Sequence, residues 1–412
     1  MELRPIISVL LRSKTAPLLV AIQVALSLAI LANALYIVNL RQASSSRPSG
    51  LADEQNVFTV TSKFVQKVPL AAALAQQKRD VDVLRALPGV ASATWISQMP
   101  MSRSGSNSGF SLARNQPRES LVISSYFAPP GALKTLGVNV VEGRDLTQDD
   151  MVEFDDEKDT AAKNWPRAII LTKAAAEALY PGTSAIGKTL YYGSGDDAAE
   201  MRVVGVVDRL QSVLAETGPR GEYSAILPLL TDTTYFKFAV RTEAGQRDRV
   251  MTDAQAALRA ASPTPRVITV RSSDEDRSNR YRNERSLAWM LIAVSALLLL
   301  VTASGIVGMT MLRVAQRRKQ IGVRRALGAR KSDIVRYFVT ENVVVTTMGV
   351  VVGIVLAIGV NEMLVRMLEL PKLPLAYLGI GAFVLWLLGI AAVYGPAWRA
   401  AGIPPAEATR SV

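Results

Sequence analysis

The chain has 412 residues, no cysteine, no histidine, and 47 Lys and Arg against 35 Asp and Glu, a formal charge of +12. The missing residue types exclude disulfide staples, Cys/His metal sites, a Ser-His-Asp triad and a cysteine nucleophile. The length is enough for two or three domains.

Residues 1–15 are predicted as a cytosolic amphipathic helix. Ile6, Ile7, Leu10 and Leu11 form its apolar face and Arg4, Arg12 and Lys14 its polar one, a pattern that lies in a membrane interface. Four uncharged apolar runs then dominate the chain, at 16–38, 287–312, 343–360 and 375–394. About 20 helical residues cross a hydrocarbon core of about 30 Å. The third run reaches that length if it begins near Val339, so a span is predicted over 339–360. The N-terminus imitates a cleavable signal peptide, with Ala32-Asn33-Ala34 as a cleavage-like site. Apolar residues continue past it through 35–38, so an uncleaved anchor is expected. Gln23 and Asn33 inside that anchor should face another helix. A linker, SSSRPSG, follows at 44–50.

The outer domain, 41–272, is predicted as strand 57–60, helix 70–87, strand 90–96, a mobile Gly/Ser loop at 103–111, strand 120–126 and a short helix at 129–137. An acid-rich stretch, 142–159, lacks the spacing of a calcium loop and is predicted as a solvated loop. Strand 167–171, helix 173–180, strands 189–192, 201–207, 223–227 and 236–241, helix 246–261 and strand 266–270 complete a mixed α+β domain. Gly182–Thr189 matches the phosphate-loop pattern GxxxxGK[ST]. A phosphate cradle needs a strand before it and a helix after it. Here a helix precedes and a strand follows, so the stretch is predicted as a turn, and no ATP hydrolysis is expected of this chain.

From about Ser273 to Gln316 the chain has no break until the second span ends, which predicts one long helix, a stalk that continues into the membrane (273–312). Residues 313–341, a predicted cytosolic elbow between two spans, then hold nine Lys and Arg against Asp333 and Glu341. The pattern there is helix, stop, helix. Gly328 supplies the left-handed backbone that ends the first helix, and Ile334, Val335, Phe338 and Val339 share a face of the second. An outer loop at 361–374, the last span and a tail at 395–412 complete the chain. Gly305, Gly308, Gly349, Gly353 and Gly359 are candidates for close helix approach.

Charge fixes the expected orientation. Residues 1–15, 313–341 and 395–412 carry net charges of +2, +7 and +1, while 41–285 carries only +2 and 361–374 none. Basic loops stay cytosolic, so the chain is expected to be a membrane protein with four transmembrane α-helices, one before and three after a large extracytoplasmic domain. Charge distributed in this way argues against nucleic acid as a partner.

Several stretches carry a resemblance. RRKQIGVRRALGARKSD at 317–333 and the tail GPAWRAAGIPPAEATR at 395–410 are its distinctive parts. Weaker parts are VVEGRDLTQDD at 140–150, ILTKAAAEALYPGTSAIGKTL at 170–190 and VVGVV at 203–207. The chain resembles permeases of the MacB/FtsX-like family, the mechanotransmitting (type VII) ABC transporters. The resemblance implies a dimer, with a second copy or a paralogue, in a bacterial inner membrane. It also implies a separate cytosolic ATPase holding ATP and Mg, and an outer domain with porter-like and sabre-like parts in the periplasm. It leaves the substrate open, and with it any periplasmic adaptor. Family members export drugs or peptides, extract lipoproteins, or activate cell-wall hydrolases. The ATPase contact it implies falls on Arg317, Arg318, Ile321, Gly322, Arg324, Arg325, Gly328, Ala329 and Asp333. The acidic, Trp-containing stretch 149–165 is longer than the family pattern. The competing reading is a membrane-anchored sensor or scaffold whose outer domain binds a ligand or partner.

Overall fold

A computed structural model describes residues 15–66, 68–155, 158–161, 163–216, 218–231, 235–262, 264–368 and 371–402. The helix expected at 1–15 (save Thr15) and the tail beyond residue 402 lie outside the described residues. In chain order the helices are α1 (Thr15–Ser45), α2 (Leu70–Arg85), α3 (Ala132–Leu136), α4 (Lys173–Leu179), α5 (Arg247–Ala260), α6 (Ser273–Arg280), α7 (Arg282–Gln316), α8 (Arg318–Ala326), α9 (Lys331–Leu368) and α10 (Leu375–Ala401). The strands are β1 (Val57–Phe64), β2 (Val90–Trp95), β3 (Asn107–Ser111), β4 (Leu121–Phe127), β5 (Val140–Gly143), β6 (Val152–Phe154), β7 (Ala168–Thr172), β8 (Thr189–Tyr192), β9 (Ala199–Val207), β10 (Ser224–Leu227), β11 (Leu229–Thr231), β12 (Tyr235–Thr242) and β13 (Arg266–Ser272). Ser44–Asn283 form one compact unit; the described parts of Met1–Ala43 and Glu284–Val412 form a second.

The first unit contains two sheets of different design and a short β11–β6 pair. A four-stranded antiparallel sheet runs β13-β1-β12-β2. Side chains alternate along its strands, so Phe58, Val60, Phe236, Phe238 and Val240 join Leu84, Val250 and Leu258 of α2 and α5 in one core. The opposite face carries Thr59, Thr61 and Lys63. Arg266 and Asp80 form a wholly buried ion pair behind this sheet. The second sheet runs β5-β9-β7-β10-β4-β3-β8, and β8 also pairs with β9. Six strands therefore close on one another, with Phe110, Ile123, Ile169, Leu171, Leu190 and Met201 in the core.

Three expectations are corrected in this unit. The Gly/Ser stretch at 103–111 is not a free loop, because 107–111 is strand β3, paired with both β4 and β8. Its serines and glycine carry little apolar signal, and pairing on both sides fixes the backbone instead. The acid-rich stretch contains β6 and a short turn that closes on Asp150. Asp150 accepts from Arg144 at 2.7 Å and from the Thr147 amide at 2.8 Å, and these bonds hold its pKa down to about 2. Trp165 stacks on Tyr192 at 4.5 Å, fixing the end of that stretch against β8. The phosphate-loop-like segment does lie between helix α4 and strand β8, the order that disqualifies it as a nucleotide cradle.

The third correction is a helix break. The long helix expected from Ser273 is interrupted at Tyr281, between α6 and α7. Tyr281 is buried with Met101 and Ala215, and the Arg280 guanidinium bonds to the carbonyls of Leu214 and Ala215. Those anchors end α6 at Arg280 and hold Tyr281 off the helical path. α6 starts well: the Ser272 hydroxyl accepts from the Glu275 amide at 3.1 Å, and Asp274, Glu275 and Asp276 fill the first turn.

In the second unit α1, α7, α9 and α10 are each long and apolar enough to cross a membrane. Small residues let them pack closely: a Cβ on Gly349 would meet the Ala21 carbonyl at 2.7 Å, and one on Gly353 the Ala25 carbonyl at 2.9 Å. Among the described residues nothing lies within 4 Å of a Cβ placed on Gly308 or Gly359. Asn33 donates to the Ala357 carbonyl at 3.1 Å and Ser27 meets Thr302 at 2.8 Å, so the polar groups of α1 do face other helices.

Candidate functional site

Helix α8 is the short basic element between α7 and α9. Its sequence, RKQIGVRRA, places Ile321 and Gly322 on one side and the cations on the rest. Ile321 is buried with Ala397, Ala400 and Ala401 of α10. The helix ends as Gly328 predicts. Gly328 has φ +98°, its amide donates to Arg325 O at 3.2 Å, and the Ala329 amide donates to Arg324 O at 3.1 Å. Those two bonds form a Schellman motif, which satisfies carbonyls that a helix end leaves open. Arg325 Nη1 adds a bond to Ala329 O at 3.1 Å. Asp333, in the first turn of α9, accepts from the Arg330 amide at 2.9 Å. The turn 327–330 is thus closed from both sides.

The side of the elbow toward α9 holds an ionic cluster. Glu341, 2% exposed, lies 2.7 Å from Arg313 Nη1 and 3.5 Å from Arg317 Nη1. Both are ion-pair contacts without hydrogen-bond alignment at the carboxylate. Arg317 Nη1 also donates to the Tyr337 hydroxyl at 2.7 Å. The guanidiniums of Arg317 and Arg324 lie over the Tyr337 ring, at 5.8 and 5.3 Å from its centre. Arg313 and Arg317 are one helical turn apart, so a single carboxylate on α9 can meet both.

The nine residues singled out from the sequence therefore divide. Arg318, Arg324, Gly328 and Asp333 are exposed; Arg317, Arg325 and Ala329 are half-buried; Ile321 and Gly322 are buried. The last two support α8 from beneath and have no surface to offer a partner. Two residues outside that set complete the arrangement. Leu327, 83% exposed, projects at the tip beside Gly328. An apolar side chain at a charged tip is its signal. Glu341 is the other, and its signal is a single acid at the edge of an apolar run, one helix away from arginines spaced four apart.

Comparison with known proteins bears on the same residues. The model of the FtsX-like permease C-terminal family matches residues 292–405, the elbow included, and that of the MacB-like periplasmic core domain matches 22–284. The pyoverdine export ATP-binding/permease protein PvdT of Pseudomonas syringae pv. syringae (strain B728a) is 37% identical over 134 residues, 32% of this chain and 20% of that protein. The macrolide export ATP-binding/permease protein MacB of Bartonella quintana (strain Toulouse) is 27% identical over 290 residues, 67% of this chain and 40% of its own length. The chain thus spans well under half of these curated relatives. The periplasmic region of MacB from Actinobacillus actinomycetemcomitans aligns over 56% of this chain and 94% of that one, at 14% identity and a TM-score of 0.35. With the periplasmic core model covering most of the chain and the permease model covering its C-terminal helices, the chain is a membrane protein of the MacB/FtsX-like ABC transporter permease family.

Proposed function

We propose that this chain is a permease subunit that couples a separate cytosolic ATPase to movement of its own periplasmic domain. The chain lies in a bacterial inner membrane, with α1 crossing before the periplasmic domain and α7, α9 and α10 after it. The elbow is the docking surface. Arg318, Arg324 and Leu327 meet the ATPase, and Arg317, Arg325, Ala329 and Asp333 hold the surface in shape. Force enters at α8 and passes to α7 and α9 through the Arg313–Arg317–Glu341 cluster. A second copy or a paralogue completes the transporter, which drives export; the curated relatives are named for the export of pyoverdine and of macrolides.

One observation carries this reading: a basic surface that is locked from inside. A turn closed at both ends and a buried ionic cluster give α8 a fixed shape, and a lever needs one. The spans also offer little to a substrate, since among the described residues Glu341 is the buried acid within an apolar helix. The test reverses charge on the outside only. Arg318→Glu with Arg324→Glu should abolish co-purification of the ATPase from native membranes while the permease stays inserted. Leu327→Ser alone should weaken it. Undiminished co-purification in the double variant would remove the elbow as the dock.

A further inference from the structure

The face of the four-stranded sheet opposite α2 and α5 forms a cleft of about 310 Å3 in the periplasmic unit, within the size range of small-molecule sites. Its floor is set by strand register. Thr61 of β1 lies between Lys237 of β12 and Thr269 of β13, Thr59 lies beside Arg271, and Lys63 beside Tyr235. Alternation along each strand directs these side chains away from the core of α2 and α5. One edge strand, β13, and the central pair thus bring Lys63, Lys237 and Arg271 to a single cleft, faced by the carboxylate of Asp276 from α6.

The polar groups of this cleft are incompletely matched. Lys237 is 7% exposed. Its ammonium donates to the Ser104 carbonyl at 3.0 Å and lies 5.4 Å from the centre of the Tyr235 ring. Among the described residues no carboxylate lies within ion-pair distance of it. Burial pushes its pKa down, and the more distant Asp276 offsets this only in part. Thr59, 6% exposed, has a buried hydroxyl without a hydrogen-bond partner. Asp276 approaches Arg271 at 3.9 Å. A buried cation without a counter-charge is costly, and an oxyanion in the cleft would supply that counter-charge.

We infer that this cleft binds a compact oxyanion, the carboxylate or phosphate of a small ligand. Lys237 binds it from the floor, Lys63 and Arg271 close on it from the rim, and Asp276 limits its charge. The site is built within the periplasmic unit and goes beyond the coupling role of the elbow; neither depends on the other. The experiment is titration calorimetry of the full-length chain in nanodiscs with inorganic phosphate and with acetate, at constant ionic strength and with chloride as control. Saturable binding of at least one probe is expected: phosphate alone identifies a phosphoryl ligand, acetate a carboxylate one. Lys63→Ala with Arg271→Ala, both toward the surface, should weaken binding by roughly tenfold or more, and Asp276→Asn should tighten it several-fold. No saturable binding of either probe, an unchanged affinity in the Lys63/Arg271 variant, or weaker binding in Asp276→Asn would each overturn the assignment.

Discussion

Removing the carboxylate of Glu341 isolates two arginines from their counter-charge. Arg313 and Arg317 have side chains 12% and 19% exposed, and Glu341 is 2% exposed. Breaking a buried pair on one side costs about 3–5 kcal/mol, because the charge left behind is uncompensated. Arg317 keeps its bond to the Tyr337 hydroxyl, and a long side chain can turn toward water, so the lower end, about 3 kcal/mol, is expected for Glu341→Gln. Unfolding of the purified permease in mixed micelles, followed by tryptophan fluorescence, measures it. The diagnostic arm is a double-mutant cycle. Arg313→Met alone should also destabilise, and Glu341→Gln with Arg313→Met should cost less than the two singles together by about 1–3 kcal/mol. Replacing all three by apolar residues (Glu341→Leu, Arg313→Met, Arg317→Met) should restore stability yet lose coupling of ATP hydrolysis to the permease. Additive single effects, or a triple variant that stays fully coupled, would refute the cluster as a junction.

Two further outcomes follow from the geometry. Gly328→Val places a β-branched side chain at φ +98°, and should destabilise the elbow by about 1–3 kcal/mol; hydrogen exchange of the amides of 326–333 would rise while that of α7 stays unchanged. Asp276 has its pKa raised to about 6, chiefly by burial, with Glu275 adding to it and Arg271 and Lys237 opposing it. The folded state therefore keeps a proton that the unfolded chain has lost, so stability should fall as pH rises from about 4 to about 6 and level off above that. Asp276→Asn should flatten that slope in the thermal transition of the periplasmic unit, and an unaltered slope would count against it.

What the sequence makes legible follows physical reach. Apolar runs of span length, the helix order around the phosphate-loop-like turn and the stop at Gly328 are local signals, and each stands where the pattern puts it. Strand β3 was hidden because its residues, NSGFS, hold no alternating apolar face; the neighbouring β4 and the distant β8 supply its order. The break at Tyr281 was hidden for the same reason. The helical pattern runs through it, and the contacts with Met101, Ala215 and the Leu214 carbonyl come from loops distant in sequence. At the elbow the basic face was legible as composition, but which arginines turn inward depends on Glu341 and Tyr337, one helix further on.

That division of the arginines bears on why the elbow is so basic. A bias that only sets membrane orientation acts on loop charge and requires no fixed geometry, so every cation could remain solvated. Here Arg313 and Arg317 are drawn out of water against one acid, and Arg325 is turned back on its own helix end. Desolvation of this kind is unfavourable unless the geometry is held. Three cations used to fix a surface, beside a leucine exposed at its tip and the exposed Arg318 and Arg324 along it, are hard to account for by topology and are what a rigid contact between two moving bodies requires. If orientation were the whole purpose, lysines in place of Arg313 and Arg317 would serve as well. A variant carrying both substitutions should instead insert normally and lose coupling, because a lysine ammonium is shorter-reaching and lacks the planar guanidinium that Arg317 lays over the Tyr337 ring.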